Sequence, residues 1–225
     1  MRKKFIVFNM IFIICLLTPV QGMGSRPVKM AIVGCVIDGM LFALDDAGPV
    51  EKAQLITLAP PLNLTPYEGK KIRVQGALSP GDRFRPDMAK GIKVLGTCDP
   101  EAGAVIRKEL PWAYQTKAEE MAENNNWSNA WKYINKAIEL DNSDCSLYFT
   151  RAKFYRTQGK FTEAVADAQR AVKYGCDRYP DWAFLAELLE KTGIIPAAID
   201  AYAKAAGVCG YKPDRDKFLQ KIKQL

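Results

Sequence analysis

The chain has 225 residues, 48% hydrophobic and 25% charged, a balance typical of a folded protein and unlike a disordered one. Its 32 Lys/Arg against 25 Asp/Glu give a net charge of +7, and it contains no histidine. That absence removes Ser-His-Asp and Cys-His nucleophilic sites, His-ligated zinc and C-x-x-C-H haem attachment, each of which needs imidazole.

Residues 1–22 read as a secretory signal. Arg2, Lys3 and Lys4 form the positive start, Phe5 to Leu17 is an apolar run broken by Asn9, and Val20-Gln21-Gly22 offers a cleavage site. The run is short of the roughly 20 residues that span a bilayer. Cleavage after Gly22 is therefore the expectation, with a retained anchor as the alternative. No stable membrane insertion is expected after cleavage, and the mature chain is expected in the periplasm or outside the cell. Three cations leave with the signal, so 29 Lys/Arg then face 25 Asp/Glu. Residues 23–101 hold 10 and 9, and residues 102–225 hold 19 and 16. A nucleic-acid binder concentrates its charge; the linear counts show no such bias, so no nucleic-acid partner is expected.

From Val28 to about Asp99 the texture is that of short strands. Val28 to Ile37 is β-branched, Gly39 marks a turn, Met40 to Leu44 and Gln54 to Leu58 are apolar, and Lys71 to Gln75 and Gly91 to Leu95 alternate. Gly and Pro punctuate the gaps at Gly48-Pro49, Pro60-Pro61 and Ser79-Pro80-Gly81-Asp82. Five strands in so short a stretch predict a small β-barrel over residues 27–101. The run from Leu64 through Pro66, Tyr67, Gly69 and Lys70 to Gly76 resembles small exported OB-fold domains; an SH3-like barrel would read almost the same. The resemblance implies a barrel face for an oligosaccharide or other envelope polymer, with Phe42, Tyr67 and Phe84 as the stacking candidates. Cys35 lies in the first strand and Cys98 at the end of the last, and a disulfide between them is expected.

Beyond Pro111 the pattern becomes helical, and it repeats every 34 residues. Ala118, Ala152 and Ala186 form one series, Ala130, Ala164 and Ala198 a second, and Ala137, Ala171 and Ala205 a third. Trp127, Phe161 and Ile195 keep the interval, as do Tyr114, Tyr148 and Trp182. A period of that length means helix pairs that stack. The pattern resembles the tetratricopeptide-repeat (TPR) family, best in residues 145–178 with Tyr148, Ala152, Tyr155, Gly159, Ala164 and Ala171. Ala168 departs from it, where the family carries a large side chain. Three repeats fill residues 111–212, and Pro213 to Leu225 reads as a capping helix with Phe218 and Ile222 on its apolar side. The fold class is thus two-domain, an all-β barrel followed by an all-α solenoid over 111–225.

The resemblance implies a concave groove lined by the first helix of each repeat. The matching residues are Trp112, Gln115 and Glu119, then Phe149, Lys153 and Arg156, then Ala183, Glu187 and Glu190. One subset of the family grips a C-terminal carboxylate with Lys, Asn and Arg. The corresponding positions here are Gln115, Glu119, Thr150, Pro180 and Phe184, so that clamp is missing. Lys153 and Arg156 read either as contacts for an acidic partner segment or as groove charges paired with Glu119 and Glu187. Of the remaining cysteines, Cys145, Cys176 and Cys209 are expected along one rim, with Cys176–Cys209 the favoured bridge and Cys145–Cys176 the alternative.

Neither Gly69-Lys70-Lys71 nor Gly159-Lys160-Phe161 has phosphate-loop spacing, and Asp45-Asp46 reads as a solvated turn. No metal or cofactor is expected. The sequence predicts an exported, non-enzymatic adaptor that binds a protein or peptide, with the barrel as a second docking module.

Overall fold

The computed structural model describes residues 28–44, 53–79 and 83–225. The expected signal segment 1–22 and the Asp45-Asp46 pair lie outside the described residues. The chain divides into two compact units. One runs to Leu41 and resumes over Ile56–Thr97; the other holds Phe42–Leu55 and Cys98–Leu225.

Six strands are formed: β1 (Val28–Ile37), β2 (Met40–Leu44), β3 (Ala53–Ile56), β4 (Lys70–Ser79), β5 (Arg83–Pro86) and β6 (Ile92–Thr97). Their order is β3-β2-β1-β4-β5, with β6 also on β4. Asp38 and Gly39 both take positive φ, 51° and 67°, the conformation a two-residue hairpin turn requires between β1 and β2. The Glu68 carboxylate holds that turn, accepting from the Asp38 N–H at 2.8 Å and the Gly39 N–H at 3.0 Å.

The expected closed barrel is not what forms; the sheet is open. β4 gives one edge to β1 and divides the other between two short strands. β6 pairs along Lys70–Val74 and β5 along Gly76–Ser79. Closure needs a continuous ladder on the far side of β5. Among the described residues that side has one parallel bridge, Leu58 to Phe84, with hydrogen bonds from Ala59 N–H to Phe84 O and from Phe84 N–H to Thr57 O. The alternation read from the sequence does hold: Ile72, Val74 and Phe84 are buried, while Arg73, Gln75, Arg83 and Arg85 are exposed.

The helical unit has seven helices: α1 (Pro100–Glu123), α2 (Trp127–Leu140), α3 (Cys145–Thr157), α4 (Phe161–Lys173), α5 (Tyr179–Lys191), α6 (Ile195–Val208) and α7 (Lys212–Gln224). All nine alanines of the three 34-residue series are fully buried. Small side chains at helix contacts allow close backbone approach, and with all nine buried the period in the sequence is a packing period. Gly159 and Gly193 turn between their helices at φ +72° and +76°, and Asn125 does the same at +57°. Asparagine tolerates that region better than most residues. Ala168 is buried in the same cluster as Phe184, Leu185 and Tyr202, so neighbouring large residues fill the space its own lacks. Phe218 of α7 is buried there too, with Ile222 packed against the cluster, as a capping helix requires.

One boundary and one disulfide differ from expectation. Helix α1 begins at Pro100, not near Pro111. Asp99 caps it by accepting from the Glu101 N–H at 2.9 Å, and Pro100 takes the first helical position, where a missing N–H costs nothing. Pro111 sits inside the helix, whose earlier turns bury Ala102, Ile106 and Leu110. That burial offsets the hydrogen bond proline removes. The favoured Cys176–Cys209 bridge is also replaced. Cys145 is joined to Cys176 with Cα atoms 5.6 Å apart, and Cys209 is a buried free thiol. Cys145 opens α3 and Cys176 follows α4, so both belong to one hairpin. The chain doubles back through Gly175, at φ +106°, to bring them together. Cys35 and Cys98 are each disulfide-bonded.

Candidate functional site: the first-helix groove

The residues expected to line the groove come from α1, α3 and α5. At its first end, four side chains are tied together across two helices. Gln115 donates to the Thr150 hydroxyl at 2.8 Å, Thr150 donates to the Glu119 carboxylate at 3.0 Å, and Ser146 donates to the Gln115 carbonyl at 3.3 Å. Gln115, Glu119 and Thr150 are three of the five positions at which the resemblance would have placed a carboxylate clamp. Here they form a hydrogen-bonded chain ending on a carboxylate.

The middle is aromatic. Phe149 of α3 and Phe184 of α5 stand with ring centroids 4.9 Å apart. The Lys153 ammonium lies 4.6 Å from the Phe149 centroid, and the Arg156 guanidinium lies 4.6 Å from that of Phe184. Each cation therefore covers one ring of the pair, an arrangement worth about 0.5–1 kcal/mol at an exposed site. The anticipated pairing with acids is half realised. Arg156 meets Glu187 at 3.9 Å with both side chains largely exposed, where an ion pair contributes little. Lys153 stands over its ring.

Glu190, placed in the groove by sequence, is turned to other work. It accepts from the Tyr202 hydroxyl of α6 at 2.9 Å and from the Lys221 ammonium of α7 at 2.9 and 3.1 Å. The Lys221 and Tyr202 hydrogen bonds hold its carboxyl below the ordinary value. Burial and the Glu190 bond push the Tyr202 phenol up. Trp112 is half exposed on α1.

A further polar cluster escaped the sequence reading. Asp167, 2% exposed, accepts from Arg151 Nε at 2.7 Å and Nη2 at 3.0 Å, and from Arg170 at 3.0 Å. Arg151 also donates to Asn135 at 2.9 Å, so α2, α3 and α4 share one network. Its only sequence signal was an aspartate on the otherwise apolar side of α4. Of the stacking candidates, Phe42 and Phe84 are fully buried and belong to the core, while Tyr67, in a single 3-10 turn before β4, is half-buried.

Among the described residues no group of His, Cys, Asp and Glu is arranged to hold a metal ion, and no helix is long and apolar enough to cross a membrane. No family model matches the chain. Over 61 residues it is 34% identical to Hsp70-Hsp90 organizing protein 1 of Glycine max, covering 27% of this chain and 11% of that protein. Over 67 residues it is 33% identical to Hsp70-Hsp90 organizing protein 3 of Arabidopsis thaliana, covering 30% and 12%. The chain thus spans little more than a tenth of the length of the curated relatives it matches. Among solved structures it is similar to the N-terminal domain of stress-induced protein-1 from C. elegans, at 21% identity and TM-score 0.46, covering 52% of this chain and 95% of that one. It is also similar to the first TPR of Spaghetti bound to an HSP90 peptide, at 17% identity and TM-score 0.47, covering 52% and 92%. The 34-residue period and the nine buried alanines carry the likeness: the helical half resembles the tetratricopeptide-repeat domains.

Proposed function

We propose that the chain is an exported, non-enzymatic adaptor that holds an extended segment of a protein partner on the groove of α1, α3 and α5. The observation that carries this reading is the Phe149–Phe184 pair flanked by Lys153 and Arg156. Phe184 is buried and Phe149 half-buried, so the pair gives a partner a small apolar surface on Phe149 beside two cations, which suits a segment that carries acidic side chains with an aliphatic neighbour. Aromatic and arginine side chains are the usual anchors of such contacts. The groove favours an internal segment over a chain end, because Glu119 stands where a terminal carboxylate would lie and like charges repel.

Export rests on the character of residues 1–22. Four cysteines in disulfides support it, since such bonds persist in oxidising compartments. The strand-rich unit is read as a second docking module.

The test is selection from a displayed random-peptide library by the full chain. The wild type should enrich sequences in which acidic and aliphatic residues alternate. Arg156→Glu with Lys153→Glu should weaken the selected peptides by roughly a hundredfold, about tenfold for each reversed contact. Amidating the peptide C-terminus should change nothing. Failure to enrich any sequence, or equal binding by the charge-reversed chain, sinks the proposal.

A further inference from the structure

The strand-rich unit carries a charge pattern that linear counting concealed. In antiparallel pairs, directly opposite residues share a face. The register places Lys29, Ala77 and Arg85 in one row across β1, β4 and β5. The next row holds Ala31, Gln75 and Asp87, the last joined by its N–H to the Gln75 carbonyl at 2.8 Å. The row after that holds Val33, Arg73 and Lys93. All three rows lie on one face, because they are two residues apart along β4. The opposite face carries Ile32, Ile72, Val74 and Phe84, all buried.

The two cationic rows are four residues apart, roughly 13 Å along the strand. At the first of them, running into the middle row, lies a trough of about 590 Å³ lined by Lys29, Ala31, Gln75, Ala77, Arg85, Asp87 and Lys90 together with Met30, Gly76 and Pro86; Arg73 and Lys93 stand beyond it. Among the described residues, Lys29, Arg73, Arg85 and Lys93 make no ion pair; Lys90 meets Asp87 at 4.0 Å. Glu68, which could neutralise part of this face, is committed to the Asp38-Gly39 turn.

We propose that this sheet face binds a linear anionic polysaccharide, with acidic groups on the two cationic rows and a sugar ring in the trough beside Lys29 and Arg85. The choice of partner follows from what lies between the cations. Gln75 donates and accepts, and the Asp87 carboxylate accepts, so neutral hydroxyls satisfy both. A polymer acidic at every contact would meet Asp87 unfavourably. Single-stranded nucleic acid is bound on stacking aromatics, and these three rows contain none. An extended peptide joins a sheet through an edge, whereas here the backbone is engaged in ladders on both sides of β4. A membrane surface takes up larger apolar side chains than Ala31, Val33 and Ala77. The inference is independent of the groove on the helices, and of the buried rings Phe42 and Phe84.

The experiment is titration calorimetry of the full chain at low and moderate salt. Polygalacturonate and dextran sulfate serve as carboxylated and sulfated probes, with unsubstituted dextran, poly-glutamate, duplex DNA and phosphatidylglycerol vesicles as comparators. At least one anionic glycan should bind, more weakly as salt rises. Joint replacement Lys29→Gln, Arg73→Gln, Arg85→Gln and Lys93→Gln should weaken it by roughly a hundredfold, at about a factor of three per contact. These side chains are exposed, so the circular dichroism and melting curve should match the wild type. Removing Lys132 and Lys173 from the helices in the same way should have no effect. Gln75→Leu leaves the charge unchanged and should cost about fivefold through the lost hydroxyl bond; it serves as the test if the quadruple variant misfolds. The proposal is overturned if neither glycan binds better than plain dextran, or if the variants bind like the wild type. Equal or tighter binding of poly-glutamate, DNA or vesicles overturns it as well.

Discussion

Asp167 is the most consequential polar side chain in the helical unit, and replacing it tests how that unit is held together. It is 2% exposed and receives three charge-assisted hydrogen bonds. Two come from Arg151, whose side chain is 16% exposed, and the third from Arg170, which is 56% exposed. The Arg170 contact is screened by solvent and adds little. The Arg151 pair is another matter. Asp167→Ala leaves a largely buried guanidinium facing a cavity, and breaking a buried pair from one side costs about 3–5 kcal/mol. Allowing for partial access of water to Arg151, the expected loss is about 3 kcal/mol. In a helical unit of this size that lowers the melting temperature by roughly 10 °C.

The measurement is helical circular dichroism of the full chain during heating and in urea, under non-reducing conditions. Asp167→Asn should do nearly as badly, since its amide hydrogens face those of Arg151. The double replacement Arg151→Met with Asp167→Leu should recover most of the loss, because neither desolvated charge remains. The cycle separates the pair's interaction from the cost of orphaning one partner. A loss below about 1 kcal/mol for Asp167→Ala would refute the reasoning, since that is the range of an exposed pair.

Breaking the Cys145–Cys176 bridge, which spans 31 residues, should cost about 3.5 kcal/mol on the chain-entropy account. It is read from the shift in midpoint of Cys145→Ser against wild type. Non-reducing peptide maps should recover Cys145 with Cys176 and Cys35 with Cys98, and Cys209 should alkylate only after unfolding. Glu190 is held below its ordinary value in the fold, so its ionised form stabilises above about pH 4.5 and that contribution fades as the pH falls further. Wild type should therefore exceed Glu190→Gln in melting temperature at pH 7 and converge on it in acid; a constant gap would exclude the linkage. Gly76→Ala should disrupt the β4–β5 pairing, because a methyl there meets the Arg85 carbonyl oxygen and comes within 2.7 Å of the Phe84 ring. Loss of amide-exchange protection confined to that edge is the expected sign.

The helical repeat was legible because its signal is local and redundant. An alanine at a helix crossing is fixed by backbone distance, so three series at the same interval are hard to obtain otherwise. The start of α1 was not legible. Pro111 reads as a boundary by propensity, and only the burial of Ala102, Ile106 and Leu110 shows why the helix runs through it. Barrel closure failed for a related reason. Strand positions follow from alternation, but which strand completes which edge depends on partners far along the chain, and β4 divides its second edge between β5 and β6. The sequence places Cys145, Cys176 and Cys209 on one rim without showing which two meet, and the pair formed is Cys145–Cys176. The two ends of one hairpin meet more closely than the ends of neighbouring hairpins. Charge counts of 10 against 9 looked neutral, yet alternation segregates the cations onto one face and sends Glu68 to a turn.

The groove residues were legible as positions and illegible as chemistry, and the difference bears on how the groove selects. Position alone makes Glu119, Lys153, Arg156, Glu187 and Glu190 five equivalent charges on three helices. Their contacts separate them. Glu119 closes a hydrogen-bond chain from Gln115 through Thr150, and Glu190 is bound to α6 and α7. Neither is available to a partner without first breaking a bond inside the protein. Lys153 and Arg156 stand over aromatic rings, so part of each cation's hydration has already been exchanged for π-contact. The rings also limit the side-chain freedom left to lose on binding. On the proposed function, an acidic side chain arriving there meets cations that are positioned in advance, and selection rests on Lys153 and Arg156 where they stand over Phe149 and Phe184.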